Sequence, residues 1–146
     1  MADKWIGSFR DDMWFLSNYS PSKFKINNVE FLNVEQFFAY SKCINEEDQQ
    51  LILSLSRPSD IKKAGRRIKL RPDWEKIKLD IMYVGVYNKF AQNDNLKKKL
   101  LDTGDMLLEE RNNWNDTYWG VDYYTGKGQN HLGKILMRVR TELKNE

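Results

Sequence analysis

A chain of 146 residues can bury a core without disulfide staples, and a single domain over residues 1–146 is the expectation. Its 24 basic and 21 acidic side chains leave a net charge of only +3, too balanced for a protein that works by blanket attraction to nucleic acid. One cysteine excludes an internal disulfide, one histidine leaves no usual nitrogen–sulfur zinc set, and no apolar run is of the signal-peptide or membrane-spanning kind. The expectation is a cytoplasmic protein with no membrane partner, no metal and no cofactor.

Lys4 to Arg10 and Trp14 to Leu16 read as short strands about an Asp11-Asp12 turn. Pro21 and its small polar neighbours then break regular structure. Phe24 and Ile26 alternate with lysines, Val29 and Phe31 flank Glu30, and Asn27-Asn28 lies between. Asparagine tolerates the left-handed conformations of a tight turn, so this is a β-hairpin. It feeds a helix from Asn33 to Ile44. Asn33 is a good N-cap, Gln36 completes the polar half of a capping box, and Leu32 with Phe37 suits a hydrophobic staple. Val34, Phe37, Phe38, Ser41 and Ile44 fall on one buried stripe.

Glu46 to Ser56 continues as helix with Leu51, Ile52 and Leu55 on one side, until Pro58 ends it. Ser59 caps the next helix, which carries Ile61, Ala64, Gly65 and Ile68 in register. The basic run Arg66, Arg67, Lys69, Arg71 reads first as a solvated face and second as a phosphate site. Pro72 suits the first turn of a long helix, with Trp74, Ile77, Ile81, Val84, Asn88 and Ala91 as its inward seam. Another helix starts at Asn93 or Asp94, holds Leu96, Leu100 and Leu101, and stops at Gly104. Met106 to Glu110 is a candidate strand, Arg111 to Gln129 a loop, and Asn130 caps a last helix with Leu132, Ile135, Leu136 and Val139 inward. The sum is an α+β chain, mainly α-helical.

Two stretches carry polar groups suited to chemistry. Glu35 and Lys42 are seven residues apart on one helix face, roughly 10 Å along the axis at ~1.5 Å per residue. That spacing suits a sugar-sized group between a carboxylate and an amine. Glu35 lies in the first helical turn, where the dipole favours its ionised form, as befits a base or electrostatic stabiliser. The second stretch is Trp119 to Asn130. Its glycines Gly126 and Gly128 permit close backbone approach, and Asn130 opens a helix N-terminus suited to phosphate. Five Trp, seven Tyr and seven Phe suit a pocket that stacks a base as well as a core.

Leu16-Ser17-Asn18-Tyr19, Val34-Glu35-Gln36-Phe37 with Lys42, Lys89-Phe90, Leu100 to Asp105, Trp119-Gly120, Gly128 to Lys134 and Leu136 to Arg140 follow one another in this order. Together they resemble the NADAR (YbiA-like) family over essentially the whole chain. Gln36 stands where members often have histidine, and Tyr123-Tyr124 where smaller residues are common. The resemblance implies a mainly helical α+β domain and N-glycosidase chemistry, the hydrolysis of a ribosyl–amine bond. It implies as substrate ADP-ribose on the amino group of guanine in nucleic acid or nucleotide, or a phosphoribosylamino-pyrimidine intermediate of riboflavin synthesis. Glu35, Lys42 and Asp122 are the expected catalytic residues: stabiliser or base, Schiff-base amine, and second acid/base. Ser17, Asn18, Trp119, Gly120, Tyr123, Gly128 and Asn130 are the expected substrate-binding residues. Trp119 and Tyr123 would stack on the base; Asn18 and Asn130 would hold ribose hydroxyls or phosphate. The rival classes are a non-catalytic binder of ADP-ribose and a nucleic-acid binder using Arg66 to Arg71.

Overall fold

The computed structural model describes residues 5–146. In chain order the elements are β1 (Trp5–Ile6), a 3-10 helix (Asp11–Leu16), β2 (Phe24–Ile26), β3 (Val29–Phe31), α1 (Val34–Lys42), α2 (Glu46–Ser54), α3 (Pro58–Gly65), α4 (Trp74–Ala91), α5 (Asp94–Asp102), β4 (Leu107–Leu108), β5 (Arg111–Asn112), β6 (Val121–Asp122) and α6 (His131–Lys144). Helices dominate and the strands are short, so the α+β, mainly helical class stands. The described residues divide into two compact units, one of Asn18–Asn93, the other of the residues up to Ser17 with Asp94–Glu146.

The first unit is organised by α1. Asn27 and Asn28 both take positive φ, 52° and 67°, which turns β2 into β3 with Phe24 opposite Phe31. Phe31 meets Phe37 and Tyr40 edge-on, each at 5.1 Å between ring centroids. Asn33 Oδ1 accepts from the Gln36 N–H at 2.9 Å, the expected cap. The reciprocal half of the capping box differs. Gln36 Oε1 accepts from Leu32 N–H at 2.8 Å, and its Nε2 donates to the carbonyls of Ile52 at 3.2 Å and Leu55 at 3.0 Å. One buried amide therefore satisfies the entry to α1 and orphan carbonyls at the end of α2. Ala39, Cys43, Ile52 and Ile61 form a second apolar cluster between α1, α2 and α3.

Several local expectations shift. The 3-10 helix replaces the strand expected over Trp14–Leu16: Asp11 has φ 52°, and Met13 and Ser17 N–H bond back three residues to Arg10 and Trp14, both at 2.8 Å. β1 is only two residues long, and Lys4 lies outside the described residues. Pro58 opens α3 rather than merely ending α2, because at the first helical position its missing N–H has no partner to lose; Ser59 is inside the helix. Ile44 lies beyond α1 and is exposed, as is Leu51. The inward seam of α4 is Trp74, Met82, Gly85, Val86, Lys89 and Phe90, rotated from the expected one. It contains a glycine and a lysine, which an apolar periodicity passes over.

In the second unit β1 pairs parallel with β4 and β5 with β6, so the expected Arg111–Gln129 loop contains strand. Gly104 ends α5 at φ 62°. Leu132, Ile135, Leu136 and Val139 of α6 are buried as expected. Arg140 is buried too, its guanidinium donating to Thr103 Oγ1 and the Met106 carbonyl, each at 2.9 Å.

Gly85 lets α4 lie directly on α1, since a Cβ there would stand 2.8 Å from Phe37 Cδ2 and 3.3 Å from Val34 Cγ1. Alanine adds about 1 kcal/mol of helix propensity, but overpacking costs about 1–3 kcal/mol. Gly85→Ala is therefore expected to lower stability in urea melts, against the propensity scale. An equal or raised midpoint would show that the two helices can separate freely.

Candidate functional site

The Asn18–Asn93 unit gathers an acid, a phenol and three cations. The first turn of α1 is tied down by Glu35 N–H donating to the Asn18 carbonyl at 3.2 Å. That bond brings Tyr19, the next residue, beside Glu35. The Asn18 amide itself donates to Met82 Sδ at 3.5 Å, so its backbone serves the site while its side chain leans on α4. On the opposite side α3 packs against α1 through Gly65, where a Cβ would lie 3.3 Å from Ala39 Cβ and 3.8 Å from Lys42 Nζ. The amine of Lys42 thus runs along α3, capped by the faces of Phe38 at 5.2 Å and Trp74 at 5.9 Å. Lys62, on α3, hydrogen-bonds the Tyr19 hydroxyl and places its ammonium 5.8 Å from the Tyr19 ring centre. Arg66 follows Gly65 at the end of α3.

Burial decides how these groups titrate. Glu35 is pushed up to about 7 by loss of solvent, with Lys62, Lys42 and Arg66 pulling the other way. The helix dipole that sequence reasoning took to keep Glu35 ionised is outweighed, so Glu35 is poised as an acid as well as a base. Burial also lowers Lys42, with Glu35 resisting and Lys62 and Arg66 assisting. Tyr19 is raised, first by burial and then by Glu35. An acid moved up and an amine moved down are the states that proton transfer and nucleophilic attack require near neutrality. A second lysine, Lys89, is buried on α4, donates to Ser20 Oγ at 3.2 Å and is lowered to about 7 by burial.

Glu35 and Lys42 were legible as a pair. Tyr19 and Lys62 carry no role in the sequence reading, and Arg66 enters it only as part of the basic run, although Lys62 and Arg66 stand four residues apart beside the buried Ile61 and Gly65. The basic run drew attention to itself, whereas only its first residue, with a lysine four positions earlier, is coupled to the acid.

The other unit holds Ser17, Asp122, Trp119, Gly120, Tyr123, Gly128 and Asn130. Ser17 ends the 3-10 helix, its N–H bonded to the Trp14 carbonyl. Asp122 Oδ2 accepts from the N–H groups of Tyr124 at 3.0 Å and Thr125 at 2.8 Å, and these bonds, that from Thr125 foremost, hold its carboxyl below the ordinary carboxylate range. That is a turn-closing carboxylate and a poor proton donor at neutral pH, against the acid/base role expected of it. A Cβ on Gly120 would collide with the Glu110 carbonyl, and one on Gly128, at φ 149°, would stand 2.6 Å from the Gly120 carbonyl oxygen. Both glycines therefore serve chain-to-chain approach. Asn130 sits in the left-handed region at φ 53° without capping α6 by its side chain; its amide donates to the Leu108 carbonyl at 2.9 Å and accepts from Glu110 N–H at 3.1 Å. Trp119 is half-buried against Tyr118, edge-on at 4.9 Å. Tyr123 and Tyr124 are exposed and meet edge-on at 5.2 Å.

Because Glu35 has a folded pKa of about 7 against an ordinary 4.5, the folded protein favours its neutral form. Stability from this group is complete below pH 4.5 and is lost as pH rises through 7. Wild type is expected to lose ground against Glu35→Gln over that window, by at most about 3 kcal/mol, in denaturant melts at stepped pH. A pH-independent difference between the two would place Glu35 in water.

The model of the NADAR domain matches residues 5–144. An N-glycosidase of Nostoc punctiforme is 36% identical over 134 residues, 88% of this chain and 85% of its own length. N-glycosidase YbiA of Escherichia coli K12 is 35% identical over 138 residues, 93% of this chain and 85% of its own. The NMR structure of the E. coli protein YbiA superimposes with a TM-score of 0.87 at 31% identity, covering 99% of this chain and 88% of that one. A riboflavin biosynthesis protein of Vibrio vulnificus is 33% identical over 131 residues, 88% of this chain but 35% of its own length.

Proposed function

This chain belongs to the NADAR domain family, and from that premise we propose how it acts as an N-glycosidase, a hydrolase of N-glycosyl bonds. The observation that carries the assignment of residues is the shared half-buried cluster of Glu35 and Lys42, with the acid raised and the amine lowered toward neutrality. The family model runs through both structural units, which supports their working as one domain.

The substrate is a ribosyl group carried on an exocyclic amine. Such an amine leaves poorly unless it is protonated as the C1–N bond breaks. Protonated Glu35 supplies that proton. The free amine of Lys42 attacks C1, so the bond to lysine forms as the bond to the leaving nitrogen breaks. The sugar opens to an imine on Lys42. Ionised Glu35 stabilises the positive charge at C1 and takes a proton from the attacking water. Water becomes the oxygen at C1, the imine collapses, and the free sugar and the amine of Lys42 are restored. The balance is one glycosylamine and one water giving one free amine and one free sugar. Asp122 has no step here, because its Oδ2 closes its own turn and its carboxyl is held ionised.

ADP-ribose on the amino group of guanine, in nucleic acid or nucleotide, is the substrate we favour. A phosphoribosylamino-pyrimidine is the second reading, favoured by the name of the Vibrio relative.

Incubation with a guanine-ADP-ribosylated oligonucleotide and, separately, with phosphoribosylamino-pyrimidines, followed by mass spectrometry, is expected to release the free sugar from one of them. Glu35→Gln is expected to lose at least about 100-fold in turnover. Borohydride added during turnover is expected to fix the sugar to wild type and not to Lys42→Met. Full turnover by Glu35→Gln would reject the acid; a fixed adduct in Lys42→Met would move the nucleophile elsewhere.

A further inference from the structure

Glu35 is one carboxyl facing three cations. Lys62 on α3 and Arg66, the residue that caps its C-terminus in helical conformation, stand at i, i+4, one step round from the packed residues Ile61 and Gly65. Lys42 reaches them along Gly65. Lys62 is oriented by the Tyr19 hydroxyl and ring, and Tyr19 is fixed beside Glu35 through the Asn18 carbonyl. Among the described residues neither Lys62 nor Arg66 closes an ion pair with a carboxylate, whereas Arg57, on the preceding turn, does so with Asp60 at 3.1 Å. Nor does the neighbouring Arg71 remain open, since it holds Asp73 at 2.7 Å. What sets Lys62 and Arg66 apart from the other cations of the basic run is that they act on the buried Glu35.

Resting on the hydrolase reading above, we propose that Lys62 and Arg66 form an anion subsite that receives the phosphate or diphosphate attached to the substrate's ribose. Two cations four residues apart on a helix present their heads about one turn apart, a span that suits one phosphate between them or a diphosphate along them. An oriented lysine supplies a point charge and an arginine supplies a fork for two oxygens. The subsite and the reaction are coupled. An anion on Lys62 and Arg66 neutralises the charges that hold Glu35 in its ionised form, so Glu35 gains its proton as substrate arrives. The groups that set this balance are Tyr19, Lys42, Lys62 and Arg66.

The test uses the full chain, three probes and two readouts. Binding of inorganic pyrophosphate, ribose 5-phosphate and ribose is measured by calorimetry at low salt, and the Glu35 carboxyl is followed by carbon NMR across pH. Both phosphorylated probes are expected to bind at least about tenfold tighter than ribose, and the tighter of the two tells a diphosphate from a monophosphate. Either is expected to raise the Glu35 midpoint above 7. Arg66→Gln, at an exposed position, is expected to weaken the phosphorylated probes about threefold or more, and the Lys62→Gln/Arg66→Gln pair about tenfold or more. Lys63→Gln, which removes an exposed charge of the same helix outside the pair, separates a subsite from general attraction: it is expected to keep most of the binding. Equal binding of ribose and ribose 5-phosphate, or unchanged phosphate binding in the double variant, would overturn the subsite. If wild type binds the phosphates and the double variant does not, the subsite stands even where no glycosylamine is cleaved, and only the hydrolase reading fails.

Discussion

The first turn of α1 is the constraint on which the Asn18–Asn93 unit depends. Asn33, Val34, Gln36 and Phe37 are each fixed by a neighbour. Asn33 satisfies a helix N–H; Gln36 ties Leu32 to the carbonyls that end α2. Val34 and Phe37 meet the gap left by Gly85. With one amide bonded at both ends and two apolar contacts set by a missing Cβ, α1 has one rotation about its axis. That rotation carries Glu35 to α3, where it is half-buried among cations. Glutamine at position 36 suits this duty, because an amide has a donor and an acceptor at one tip.

Two electrostatic effects compete at Glu35, and their magnitudes settle the outcome. A helix N-terminus favours a carboxylate by about 0.3–1 kcal/mol. A rise from 4.5 to about 7 corresponds to about 3 kcal/mol at about 1.4 kcal/mol per pK unit. Burial therefore wins, even with three cations assisting the charged form. The same loss of solvent lowers Lys42, so one environment prepares an acid and an amine together. A carboxyl raised to about 7 and an amine lowered by the same burial are a costly arrangement for a fold.

Periodicity and capping made most of the helical framework legible. Asn33 before Val34, Asn27-Asn28 between alternating strands, and Gly104 after Leu100 each carry a local signal that tertiary contacts reinforce. The seam of α4 was hidden because its closest approach uses Gly85 and its end uses Lys89, residues that apolar templates score as exposed or neutral. Trp14–Leu16 reads as strand because its aromatics favour extended structure, yet Asp11 turns the chain into three-residue hydrogen bonding. The acid and amine were visible because one helix carries both. Tyr19 and Lys62 were not, since their meeting depends on a carbonyl bond at Asn18 and on α3 closing against Ala39, which are facts of packing.

The Trp119–Asn130 stretch shows why composition misleads about ligands. Glycines, an aspartate and an asparagine in a loop are the residues that cradle phosphate, but they are also the residues that let backbone lie against backbone. Gly120 lies against the Glu110 carbonyl and Gly128 against Gly120. Asp122 closes its own turn, and Asn130 spends both ends of its amide on Leu108 and Glu110. In each case the polar group that a ligand would need is already bonded within the chain. Lys62 and Arg66 differ: Lys62 is held by a phenol, and both face Glu35, a carboxyl whose charge burial suppresses, without closing an ion pair to it. Between two sets of residues with the same reputation, the bonds already made within the chain are the physical distinction.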